Sequence, residues 1–423
     1  MNQKLINLPN KLKILSSHLP ATKSETILVL VGTGSRYEDK KINGIAHFAE
    51  HMFFKGTKKR PTALDISTLI DGVGGEFNAF TSKEYTGYFV KSSVKHIDLV
   101  MDVLSDMLMN SKFEQEEIDR ERNVIFEELR MYLDTPVHHI HDLFEQLLYG
   151  DQPLGWDIIG TIDSLKNINR AEFLRFKNSY YNPENMLVSV SGGVPHTDIE
   201  NITNKYLSNL KNKKTARYSR AKISQNKPAV KMSTKSTEQA HLAIGVRSYP
   251  IGHKNHYTTV VLNAILGASM SSRLFIQLRE RRGLAYYVHS GFEEHYDTGS
   301  FGAAAGVPTK RIDDAIKVIL AEFDKLTKDE VGEKELKKAK EHIKGKLVLD
   351  FEDSREVATT FGLQQLLEGK IRSLDEIFKK VDAVTSEDVK KVAQEIFINK
   401  SLNLAVIGPY KDEGKFAKIL RLN

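Results

Sequence analysis

Ile45-Ala46-His47-Phe48-Ala49-Glu50-His51-Met52 is the stretch on which the reading of this 423-residue chain turns. Residues four apart on a helix share a face, so His47 and His51 can both reach one tetrahedral metal ion, with Glu50 one residue before the second imidazole. The order His-x-x-Glu-His reverses the His-Glu-x-x-His of many zinc proteases and keeps its parts, two nitrogen ligands and a carboxylate beside a metal-activated water. These residue types point to metal-assisted hydrolysis. A catalytic zinc takes three protein ligands and leaves one position open, so a third ligand is expected elsewhere.

The segment 114–133 reads as a long helix and offers it. It carries Glu121, Glu127 and Glu128. Residues seven apart on a helix nearly share a face, so Glu121 and Glu128 project together while Glu127 points about 100° away. Glu128 is the expected third metal ligand, and Glu121 the carboxylate that orients a histidine ligand or the water.

Length and composition bound the alternatives. A chain of 423 residues suits two domains of about 200 residues each, with a cleft between them. The 61 basic against 55 acidic residues give a net charge of +6 spread along the sequence, which does not point to nucleic acid. Without cysteine there is neither a disulfide framework nor a thiolate site, so a tightly held transition metal must use histidine and carboxylate. Residues 1–20 mix polar and apolar types, and no stretch approaches the roughly 18 apolar residues of a membrane span. A cytoplasmic protein with no membrane contact is the expectation.

The pattern along the chain repeats. A strand over 26–31, the histidine helix, a helix over 63–73, paired strands within 76–91 and helices over 96–108 and 114–133 make up the first half. Strand-like 241–246, helical 256–266, strand-like 285–289 and 300–306 and helical 310–326 follow in the same order. Lys95-His96-Ile97-Asp98 is echoed by Lys310-Arg311-Ile312-Asp313, and the helix from Glu117 by that from Glu335. An offset of 218 sets Glu121 against Ala339 and Glu128 against Lys346, and no His-x-x-Glu-His occurs near His256. One half keeps the metal groups and the other lacks them. The division expected is a zinc-binding domain over 1–210, a polar and basic linker over 211–228, and a similar domain without ligands over 229–423.

Two further signals carry no separate chemistry. His138, His139 and His141 have no partner set at ligand spacing and read as surface or packing residues. Gly267 to Ser272 lacks the Gly-Lys-Ser/Thr ending of a phosphate loop and reads as a turn.

Taken together, these motifs resemble the pitrilysin or insulinase family of inverted zincins, closest to its half-length members of the mitochondrial processing peptidase group. The matching residues are His47-Phe48-Ala49-Glu50-His51 with Lys55-Gly56-Thr57, Gly75-Glu76-Phe77-Asn78-Ala79-Phe80-Thr81, Glu121-Arg122 to Glu127-Glu128, and Asp134-Thr135-Pro136. Leu154-Gly155, Gly160-Thr161, Tyr180-Tyr181-Asn182-Pro183-Glu184-Asn185-Met186 and Arg279-Glu280-Arg281-Arg282-Gly283-Leu284-Ala285-Tyr286 extend the match over both halves. The 76 residues between His51 and Glu128 equal the family's interval and select Glu128 over Glu127 a second time.

The resemblance implies an α+β fold of two homologous domains, each a mostly antiparallel sheet flanked by helices. It implies a metalloendopeptidase with one zinc per chain on His47, His51 and Glu128, water activated jointly by zinc and Glu50, and Glu121 in support. Asn78, Ala79 and Phe80 correspond to an edge strand that binds an extended peptide, and Arg279 and Tyr286 to a pair that completes the site from the second domain type. The implied substrates are oligopeptides or unfolded segments in an enclosed chamber. The implied assembly is a homodimer with composite sites or a heterodimer with a metal-free homologue. Because some members of the family have lost the metal, a non-catalytic structural or peptide-binding subunit is the alternative.

Overall fold

In the computed structural model, which describes residues 2–422, two sheets with the same strand plan organise the chain. The first is built from β1 (Asn2–Asn7), β2 (Lys13–His18), β3 (Ser24–Val31), β4 (Glu76–Thr81), β5 (Thr86–Ser93) and β6 (Met186–Gly192), in the order β1-β2-β6-β3-β5-β4. The second holds β7 (Ala229–Thr234), β8 (Gln239–Ser248), β9 (Tyr287–Glu294), β10 (Gly299–Pro308) and β11 (Asn403–Gly408), in the order β7-β11-β8-β10-β9. β2 pairs with β6 and β7 with β11 in parallel, and every other pairing is antiparallel. Omitting β1, each strand of one sheet has a counterpart at the same place in the other, down to the lone parallel pair. The fold is therefore α+β and duplicated.

Strand burial explains the layering. Every residue of β6 is buried, and all of β3 except Ser24, because these central strands are covered on both faces. On one face of the first sheet lie α1 (Ile45–Phe53), α2 (Ala63–Asp71) and α3 (Ile97–Asn110), and the core joins Ile27, Val29, Val31 and Tyr88 to Phe48, Met52, Val100 and Leu104. The long α4 (Gln115–Asp134) follows, with Ile118, Glu121, Ile125 and Leu129 buried. Its apolar positions recur at helical spacing, which is why its carboxylates are set on a defined face.

The chain forms two compact units that are not two continuous halves. The first comprises Met1–Leu129, Trp156–Ser219 and Val348–Arg372; the second comprises Arg130–Gly155, Arg220–Leu347 and Ser373–Asn423. In the second unit α5 (Pro136–Tyr149) covers a sheet face through Ile140, Leu143, Phe144 and Leu148 against Ala243, Ala304, Ala405 and Ile407. In the first unit the helix Ser354–Leu363 does the same over β3 and β6. Thr26 Oγ1 lies 2.8 Å from Ser354 Oγ, Ser189 donates to the Ala358 carbonyl at 2.7 Å, and a Cβ on Gly362 would fall 2.8 Å from Leu30. Small residues at these contacts let helix and strand approach closely. Each unit thus takes one covering helix from the other half of the sequence, and the two helices start 218 residues apart. No helix or strand occurs between Leu207 and Ala229, the stretch read as a linker.

Candidate active site

α1 is a short helix with one buried face and one chemical face. Ile45, Ala46, Phe48, Ala49, Met52 and Phe53 are buried against the sheet and neighbouring helices. The spacing that buries them leaves His47, Glu50 and His51 together on the remaining side. The His47 and His51 rings stand 4.7 Å apart between centroids. α4 brings up the third group: one ligand atom from each of His47, His51 and Glu128 lies within 4.8 Å of the others. His47 Nε2 is 3.7 Å from Glu128 Oε1, and His51 Nε2 is 3.6 Å from Glu128 Oε2.

Those separations test whether a metal fits. They exceed hydrogen-bond length, and they lie at or within about 0.1 Å of the upper end of the ligand-to-ligand edge of a tetrahedron with zinc bonds of ~2.0–2.2 Å, roughly 3.3–3.6 Å. Glu128 Oε2 is buried and has no hydrogen-bond donor. A buried carboxylate oxygen without a partner is costly, and a cation at the centre of these three groups would resolve it. The donor set of two imidazoles and a carboxylate suits zinc.

The surroundings bias the two imidazoles in opposite directions. Burial, reinforced by His51, lowers the His47 pKa to about 3, so its imidazole is neutral and able to donate a lone pair. Burial also pulls His51 down, but its hydrogen bond with Glu121 and the charges of Glu128 and Glu121 outweigh this and leave its pKa raised. Glu121, itself buried, places Oε1 2.9 Å from His51 Nδ1 and Oε2 2.6 Å from Lys55 Nζ. Burial raises the Glu121 pKa, yet the bonds to His51 and Lys55 prevail and hold it below the usual carboxylate range. A carboxylate on the far nitrogen of a metal-binding histidine fixes its tautomer and ring orientation. Burial raises Glu128, partly offset by His51.

Glu50 shares the α1 face with the two histidines. Burial raises its pKa, and the Thr81 hydroxyl, donating to Glu50 Oε2 at 2.5 Å, moderates the rise. Thr81 ends β4, one of the two edge strands of the first sheet. Asn78, Ala79 and Phe80 lie on that strand, where the Ala79 N–H donates to Asn78 Oδ1 at 2.8 Å and Phe80 covers Gly87. Neither the Thr81 contact nor the Lys55 bond to Glu121 has a periodic signature, although both residues lie in stretches that the motifs already marked.

Arg279 and Tyr286 belong to the second unit. Arg279 sits in a π-helical turn, Phe275–Glu280, with its guanidinium 5.2 Å from the Phe275 ring centroid. The Tyr286 side chain is 59% exposed and its N–H donates to the Gly306 carbonyl. His141 packs on His289 in the second unit, with ring centroids 5.6 Å apart. Among the described residues, His47, His51 and Glu128 form the one group able to hold a metal.

A duplicated α+β chain with an inverted histidine-glutamate-histidine helix in one copy defines a class, and comparison with known proteins gives it a name. The sequence profile described as Insulinase (Peptidase family M16) matches residues 13–162, and that described as Peptidase M16 inactive domain matches residues 167–343. An uncharacterized zinc protease of Bacillus subtilis is 37% identical over 400 residues, covering 95% of this chain and 97% of its own. One of Mycobacterium leprae is 34% identical over 419 residues, covering 98% and 94%. A protease from Helicobacter pylori superposes with a TM-score of 0.90 at 26% identity, over 96% of this chain and 99% of that one. The chain belongs to the insulinase family, peptidase family M16.

Proposed function

We propose that this chain is a zinc-dependent endopeptidase that hydrolyses oligopeptides or unfolded polypeptide segments in an enclosed chamber. The observation that carries the reading is the convergence of His47, His51 and Glu128 beside Glu50. Family membership and the zinc-protease names of two relatives support it. His47, His51 and Glu128 would hold one zinc per chain. The chemistry a bound zinc supplies there is Lewis acidity, which acidifies water and polarises a carbonyl.

The protein's own groups do the rest. Glu50, held by Thr81, accepts the proton of the attacking water and returns it to the leaving amine; its raised pKa suits both steps. Glu121 keeps His51 in one tautomer, and Lys55 keeps Glu121 charged. The β4 edge, with Asn78, Ala79 and Phe80, aligns an extended peptide by main-chain hydrogen bonds, which select an unfolded backbone more than particular side chains. Tyr286 donates a hydrogen bond to the developing oxyanion, and Arg279 holds a substrate carbonyl or supports Tyr286. In this reading residues 1–210 are the zinc-binding domain and 211–228 the linker, and 229–423 complete the substrate site. That completion acts across a homodimer with composite sites or with a metal-free homologue; the proposed compartment is the cytoplasm.

The test is digestion of an unstructured peptide mixture with and without a chelator, read by mass spectrometry, for wild type and Glu50→Gln. Wild type should give chelator-sensitive cuts. Glu50→Gln should keep its zinc and lose about 10²- to 10⁴-fold in cleavage rate. Wild-type cleavage by Glu50→Gln, or no chelator-sensitive cuts at all, would favour a structural or peptide-binding subunit.

A further inference from the structure

Glu38 grips the amino-terminal end of α1 from the preceding loop. Its Oε1 accepts from the Ala46 N–H at 2.7 Å, and its Oε2 from the Gly44 N–H and the Asn43 side-chain amide, both at 2.8 Å. The side chain is buried at 5% exposure. A helix start leaves N–H groups without partners, and α1 has no capping side chain of its own. Its N-cap is Gly44 at φ +97°, where a Cβ would fall 2.5 Å from the Ile159 carbonyl oxygen. Asn43 ties the same corner outward, donating to the Asp157 carbonyl at 3.0 Å and accepting from Ser164 at 2.7 Å. The carboxylate therefore sits where the loop, the helix start and the 157–164 segment meet, and His47 is the next residue after Ala46.

We infer that Glu38 is a positioning residue for the zinc site: it fixes the rotation and axial placement of α1, and through them the aim of His47, Glu50 and His51. A buried carboxylate is an expensive way to cap a helix, and a neutral acceptor would satisfy single donors as well. What Glu38 adds is three directed bonds from one rigid fork. Metal–ligand distances tolerate only ~0.2 Å, so a helix freed to shift by more than that loses its aim. The inference rests on His47, His51 and Glu128 being the zinc ligands.

The test compares wild type, Glu38→Gln, Glu38→Asp and Ile199→Ala. Ile199 is a buried core residue of the same unit, and its variant reports the effect of lost stability alone. Zinc affinity of the metal-stripped chain is measured by competition with a chromogenic chelator, beside kcat, KM and thermal unfolding of the metal-free chain. Both Glu38 variants should fold and bind zinc roughly 10- to 100-fold more weakly, as changes behind a metal ligand do. Their kcat should fall at least ~10-fold while KM stays within ~2-fold, and Ile199→Ala should keep the zinc affinity and kcat of wild type below its melting temperature. Wild-type zinc affinity and kcat in both Glu38 variants would overturn the inference. So would failure of both to fold, which would make the carboxylate a folding element alone. If wild type itself does not bind zinc, the ligand assignment falls, and this inference with it.

Discussion

Glu50 is poised between two opposed influences, burial that favours its neutral form and the Thr81 hydroxyl that favours its charged form. Thr81→Val keeps the shape and deletes the donor, so the Glu50 pKa should climb further. The acid limb of kcat/KM should then move to higher pH by up to ~1 unit, the worth of one hydrogen bond, and Thr81→Ser should restore it; an unmoved pH profile would remove Thr81 from the mechanism. A second carboxylate, Glu25, bears on stability. It is buried, and burial pushes its pKa to about 8, only partly offset by the bond it accepts from the Val194 N–H. The folded state thus holds this proton over a range where the unfolded chain has released it. The stabilisation is complete below the unfolded carboxyl pKa and is lost as pH rises through about 8. Between pH 5 and 8, wild type should lose up to ~1.4 kcal/mol per pH unit relative to Glu25→Gln in denaturant titrations. At this scale helical period alone set His47 with His51 and Glu121 with Glu128, the groups on which the proposed zinc site rests. Thr81 and Glu38 stayed hidden because each meets α1 from another element, and no spacing rule links a strand end or a loop to a helix face.

Among the elements, α1 depends on its first residue. Gly44→Ala places a Cβ against the Ile159 carbonyl at a backbone angle that L-residues rarely adopt, and should destabilise the fold by about 2 kcal/mol or more in equilibrium unfolding. At the other side of the site, Ala79→Pro removes an edge N–H from β4. On the proposed mode of substrate binding, it should lower kcat/KM for peptides at least ~10-fold while leaving zinc content unchanged. Elements with a plain periodicity were legible: β3, α3, α4 and the β4–β5 pair lie where alternation or a 3.6-residue repeat puts them. The role of α5 and of the helix Ser354–Leu363 was not. An apolar helix face announces that it will be buried, yet says nothing of which sheet will bury it.

For the molecule as a whole, the proposed composite site makes a mixing experiment decisive. Glu50→Gln and Tyr286→Phe should each impair their own homodimers, whereas a mixed dimer contains one site with both native groups and should recover roughly half of wild-type activity. No recovery on mixing would mean that each chain completes its own site. The duplication was readable from the repeated order of elements, but the exchange of covering helices was not, since it changes no local pattern. That exchange also sets a timetable. β6 completes the first sheet at Gly192, yet the helix that closes its second face begins at Ser354. At ~5–20 residues per second of synthesis, the ribosome needs on the order of ten to thirty seconds to deliver it. Through that interval Leu28, Leu30 and Leu187 line a sheet face without its cover. A nascent chain of this design therefore has its most vulnerable moment after most of its first half has been made, and a fragment ending at 228 should remain there, captured by chaperones or aggregated.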